Sequence, residues 1–208
     1  MPELGLFPLP IVLCPTERIP LHIFEPRYRE LLDECVTADA EFGFALATGD
    51  GAVHEIGTRA RVAAVLEVLD DGRMNVIVEG GDRFRLVELT SGRAFTTGIV
   101  VPVEDDDDQA DTADSERALE VFAELVELAG SDVDIPEPTS PTFDWELAAR
   151  VDFAVESKQE LLAMTSPRLR MARLVEVLGS SLEALRAEQV LHERAGRNGK
   201  VTPLDPER

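Results

Sequence analysis

The residues of this 208-residue chain with the most chemical capacity are three histidines, two cysteines and one adjacent serine–lysine pair. His22, His54 and His192 are scattered without metal-ligand spacing, and no Cys-x-x-Cys occurs, so no metal site is expected. Cys14 or Cys35 could in principle pair with His22 as thiol and imidazole. Both cysteines sit in apolar patterns, however, where a thiolate is disfavoured. They read as buried free thiols of a reducing compartment, with a disulfide between them left open. Ser157 and Lys158 are neighbours, and neighbours on a helix point about 100° apart, which makes a poor nucleophile–base pair. Lys158 reads instead as a helix-surface residue or an ion-pair partner. Gly196 to Val201 (GRNGKV) has the wrong spacing for a phosphate loop and no Ser or Thr after its lysine. No catalytic residue and no cofactor are therefore expected.

Charge narrows the partners. Acidic residues number 41 against 20 basic ones, for a net charge of −21. Such a balance repels phosphate backbones and favours solubility. Only Lys158 and Lys200 are lysines. Arg59, Arg61, Arg83 and Arg85 alternate along a strand pattern and read as a solvated sheet face, with an RNA-facing patch as the competing reading.

The elements that would position these residues fall into two kinds. Five prolines, at positions 8, 10, 15, 20 and 26, punctuate the first apolar runs. Proline donates no ladder hydrogen bond, so Ile11-Val12-Leu13 and Leu21-His22-Ile23-Phe24 read as short, edge-limited strands. Pro26 near a first helical position and the spacing of Tyr28, Leu31, Leu32, Cys35 and Val36 predict a helix over about 26–38. Residues 42–103 read as mostly β. Phe42 to Ala47 is a compact apolar run, and 58–69 is a strand. Asp70-Asp71-Gly72 is a hairpin turn and Asn75 to Val78 the return strand. Gly80-Gly81-Asp82 reads as a second turn before a half-solvated strand over 83–89, and Ile99 to Val103 closes the β part. Strands at this spacing suggest a small curled sheet or partly open barrel.

From Glu104 to Glu116, eight of thirteen residues are acidic, which predicts a self-repelling, mobile linker or loop. It lacks the pattern of a calcium loop. Helical periodicity follows. Ala118, Val121, Phe122, Leu125, Val126 and Ala129 mark one face, and Gly130 to Pro141 reads as a loop. Asp144 is expected to cap a helix carrying Trp145 and Leu147. Ser157 to Leu162 reads as a short helix. Ser166-Pro167 opens a last helix over about 167–194, striped by Met171, Val175, Leu178, Leu182 and Leu185. That stripe predicts bundle packing, with dimerisation through the distal end as the alternative.

Four short motifs in this order and spacing resemble the amino-terminal, substrate-binding domain of Lon protease over about residues 4–190. They are the Phe7-Pro8-Leu9-Pro10 start and Ile23-Phe24-Glu25-Pro26-Arg27-Tyr28. Asp71-Gly72-Arg73 leads to Gly81-Asp82-Arg83-Phe84-Arg85, and Lys158-Gln159-Glu160-Leu161-Leu162 precedes Arg168-Leu169. The chain departs at Cys14-Pro15-Thr16, where the family has an aromatic residue, proline and glycine. The resemblance implies an α+β fold: a six-stranded PUA-like β subdomain with one early helix, then a bundle of about four helices. The expected organisation is a β subdomain over 1–103, an acidic linker or loop over 104–116, a helical bundle over 117–195 and a flexible tail over 196–208.

A full Lon protease continues into an ATPase and a Ser–Lys proteolytic domain, and neither signature is found in these residues. The expected function is a stand-alone, non-catalytic module that binds a protein or unfolded polypeptide, with a separate Lon protease as a further candidate partner. The means would be an apolar groove between sheet and bundle, or β-addition at an open edge. Phe7, Leu9, Phe24, Arg27, Tyr28 and Trp145 are the candidate binding residues, each also able to serve the core. RNA binding and a cryptic peptidase are the alternatives. No apolar run reaches the length of a membrane span and the N-terminus lacks a signal-peptide pattern, so a cytoplasmic location is expected.

Overall fold

The structure is a computed structural model that describes residues 3–49 and 51–198, with side chains as far as His192. Six strands and an early helix come first: β1 (Glu3–Leu9), β2 (Arg18–Ile23), α1 (Pro26–Ala38), β3 (Phe42–Leu46), β4 (Ile56–Val68), β5 (Met74–Thr90) and β6 (Thr97–Pro102). Four helices follow: α2 (Thr112–Ala129), α3 (Phe143–Arg150), α4 (Val155–Ala163) and α5 (Pro167–Asn198). The residues from 199 onward, where most of the expected tail falls, lie outside the described residues.

The strand order is β2-β5-β4-β3-β1-β6, and β5 also pairs with β6. That extra pairing closes five strands into a ring and leaves β2 as a flank on β5. Among the described residues only β1 and β3 run parallel. The spine is β5, which holds β2 through residues 74–79 and β6 through residues 84–90. Pro8 is tolerated within β1 because β6 pairs only with Glu3 to Gly5, so at Pro8 the strand is an edge on that side.

The Ile11-Val12-Leu13 strand does not form. Pro10 and Pro15 remove donors on either side, and the segment is coil whose Val12 and Leu13 side chains are nonetheless buried. The Gly80-Gly81 turn does not form either, since β5 runs straight through it. Gly80 serves a close approach instead: a Cβ there would lie 2.2 Å from the Cys14 carbonyl oxygen. Thr16 N–H donates to the Gly80 carbonyl at 2.9 Å, and Gly80 N–H donates to the Glu17 carbonyl at 2.9 Å. Thr16 keeps a left-handed backbone with φ 66°.

One core cluster packs α1 on the sheet through Leu31, Leu32, Phe42 and Val76. Another joins α2, α3, α4 and α5 with Cys14, Leu46 and Ile56 of the β part. In the last helix Met171, Leu178 and Leu182 are buried and Val175 and Leu185 half-buried, as the stripe predicts. Ser166 Oγ accepts from Leu169 N–H at 3.1 Å and Pro167 is the first helical residue, a cap as expected. Asp144 does not cap α3. It sits inside the first turn, and its carboxylate turns inward to Arg170 Nε at 2.6 Å.

The acidic run is not free. Asp105 takes the guanidinium of Arg83 and, at 2.6 Å, that of Arg170, while Asp106 and Asp108 accept from Thr165 and Ser166. Two buried arginines need counter-charge, and the run that reaches α2 at Thr112 supplies it.

Candidate functional site

Five of the six expected binding residues gather at one end of the sheet. Phe7 comes from β1 and Tyr28 from the first turn of α1, with ring centroids 4.3 Å apart and both side chains buried. Arg27, ion-paired with Glu25 at 2.8 Å, lays its guanidinium 4.4 Å from the Tyr28 ring centre. Phe24 is 61 % exposed and stacks against His22 at 6.2 Å. Phe7, Phe24, Tyr28 and half-buried Leu9 border a cavity of about 90 Å³, room for about three waters at ~30 Å³ each, and Arg27 lies outside its lining. Trp145 is not among them. It is buried on α3 between Arg170, 4.2 Å away, and Arg83, 5.3 Å away.

The roomier feature lies elsewhere, between the end of β3, the start of β4 and α4. It is an open groove of about 800 Å³, a size usual for a ligand-binding cleft. Leu46, Ala47 and Ile56 form one wall and Val155 and Ala163 the other. Val155, Gln159 and Ala163 recur every four residues and so share one face of α4. Glu156 and Glu160, each one position on, line the same groove, with Glu55 across it. Glu160 is held by Arg173 at 2.9 Å and Glu55 by Arg85 at 3.6 Å. Among the described residues no cation pairs with Glu156.

Two buried polar contacts fix α4 against the β part. Lys158 is only 9 % exposed, not a surface residue, and its Nζ meets Glu17 Oε1 at 2.6 Å. The other Glu17 oxygen accepts from Cys14 N–H at 2.8 Å. Gln159 Nε2 donates to the Ile56 carbonyl at 3.1 Å, while its Oε1 is buried without a partner. Burial, then the Glu17 charge, pushes the Cys14 thiol up to about 12. Burial likewise pushes Cys35 up to about 11. Both are free thiols, which resolves the disulfide alternative. The four strand arginines meet acidic partners: Arg59 with Glu41, Arg61 with Glu79, Arg83 with Asp105 and Arg85 with Glu55. Arg83 is buried and also donates to the carbonyls of Leu162 and Met164.

The sequence expected a groove of this kind but not these residues. The legible signal was Gln159 inside the Val155–Ala163 row, a polar side chain on an otherwise apolar face.

A curled sheet with a helical bundle docked on it, clefted at their junction, defines the class. The family model of the ATP-dependent protease La (LON) substrate-binding domain matches residues 3–180, and the chain belongs to that family. Among solved structures it is similar to a Lon N-terminal domain protein from Xanthomonas campestris. The two are 28 % identical with a TM-score of 0.65, over 85 % of this chain and 98 % of that one. The N-terminal domain of the Mycobacterium avium complex Lon protease, 14 % identical with a TM-score of 0.63, shares the fold over 86 % of this chain and 98 % of its own. Lon protease 1 of Hydrogenovibrio crunogenus is 25 % identical across 88 % of this chain, which spans only 24 % of that protein. These residues hold the substrate-binding domain and not the protease domain. Among the described residues no helix is long and apolar enough to cross a membrane.

Proposed function

We propose that this chain is a non-catalytic protein-binding module that recognises unfolded segments, or a partner protein, in protein quality control. The observation that carries this reading is the match to a substrate-binding domain along residues 3–180. An open, apolar-walled groove at the sheet–bundle junction supports it. A separate Lon protease is a candidate partner, reached through similarity to about a quarter of such a protein's length. Acidic partners for all four strand arginines argue against a free RNA-binding patch.

The test is fluorescence anisotropy with labelled lactalbumin, once native and once reduced and carboxymethylated so that it cannot refold. Saturable binding of the unfolded form alone supports the reading, and no binding of either form overturns it. In the same samples labelled casein should stay intact with and without ATP. Turnover abolished by a single substitution would restore the peptidase alternative.

A further inference from the structure

We propose that the groove between β3, β4 and α4 receives a short extended segment of a protein partner in which apolar residues are flanked by arginine or lysine. This rests on the protein-binding reading above and adds where the segment sits and what it must contain.

The walls set the apolar half of the requirement. Leu46 and Ile56 face Val155 and Ala163 across an open cleft of about 800 Å³. Covering apolar surface is favourable in proportion to the area removed from water, so one or two inserted side chains supply the anchor.

The rim sets the charge. Glu55, Glu156 and Glu160 are the acidic residues that line the groove. Arg85 and Arg173 already occupy Glu55 and Glu160, which leaves Glu156 open to an incoming cation. With a net charge of −21 on the whole chain, a basic segment is drawn in and an acidic one repelled.

The floor adds a second demand. Gln159 is 8 % exposed, and its Oε1 lacks any hydrogen bond although its Nε2 is fixed on Ile56. A buried acceptor left unmet is costly, and native proteins keep few of them. An N–H of the docked segment is the donor this oxygen lacks.

The experiment uses the full chain and three fluorescein-labelled eight-residue peptides. One has two leucines between arginines, one has the arginines replaced by glutamate, and one has the leucines replaced by serine. Anisotropy is read at low salt. The first peptide should bind at least tenfold more tightly than either other, and binding should weaken as salt rises. Glu156→Lys should reduce its affinity about tenfold. Ala163→Trp, which fills the cleft from an exposed position, should abolish it with an unchanged circular dichroism spectrum. Val68→Ala, at an exposed strand position outside the groove lining, should leave it unaltered. Equal binding of all three peptides would overturn the proposal, as would unchanged affinity in Glu156→Lys, a variant expected to fold regardless. Unfolded lactalbumin that binds wild type and Ala163→Trp alike would remove the groove but spare the protein-binding reading. A wild-type chain that ignores lactalbumin altogether would remove that reading itself. Concentration-dependent dimerisation lost in Ala163→Trp would assign the groove to a second copy and overturn the proposal.

Discussion

Thr16 and Lys158 carry the sharpest single-residue consequences. A β-branched residue at φ 66° is strained; left-handed backbone costs an ordinary L-residue about 1–2 kcal/mol. Thr16→Gly should therefore raise stability by about 0.5–1 kcal/mol, after subtracting the greater freedom glycine gives the unfolded chain. Urea denaturation reads this, and a lower midpoint would show that Thr16 is held by more than its backbone bond to Gly80. Lys158→Met should act oppositely. It leaves the Glu17 carboxylate buried and unpaired, at a cost of about 3–5 kcal/mol. The double variant with Glu17→Gln should recover much of that loss, and a double variant no better than Lys158→Met would sink the account.

At the scale of elements, the entry to α3 is an acid-sensitive joint. Glu146 accepts from Ser140 Oγ at 2.5 Å and from Thr142 Oγ1 at 2.9 Å. The Ser140 bond chiefly holds its carboxyl below the ordinary 4.5. A depressed folded-state value stabilises the fold above pH 4.5, and the benefit fades as pH falls through the lowered value. Ser140→Ala should hence be less stable than wild type at pH 7, with the gap narrowing as pH falls below 4.5. A gap constant across that range would assign the hydroxyl another role. Elements are also where the sequence was most and least readable. Periodicity placed α1 over 26–38 and the stripe of α5 because both depend on neighbours three and four residues away. Gly80-Gly81 misled because a glycine pair looks alike in a turn and in a strand pressed against another chain segment. The anchoring of the acidic run was hidden for a similar reason: the arginines that hold Asp105 lie 22 and 65 residues away. The groove was hidden because its walls come from β3, β4 and α4, and only the α4 face has a local spacing to read.

On the scale of the molecule, buried polar contacts stitch the sheet to the bundle: Glu17 to Lys158, Ile56 to Gln159, and Arg83 through Asp105 to Arg170. Two cores fastened this way should unfold together. The chain supplies a probe for each, with its one tyrosine, Tyr28, against the sheet and its one tryptophan, Trp145, in the bundle. Tryptophan fluorescence and fluorotyrosine NMR should give the same denaturation midpoint, and two separated midpoints would refute a single cooperative unit. The Glu17–Lys158 contact spans 141 residues of chain. At roughly 5–20 residues per second on a ribosome, Glu17 is made roughly 7–28 s before its partner. Over that interval the nascent β part can form its ladders but must leave its Cys14–Glu17 loop open to water. Arrival of α4 is then the event that lets the loop close, so a helix made late finishes a loop made early.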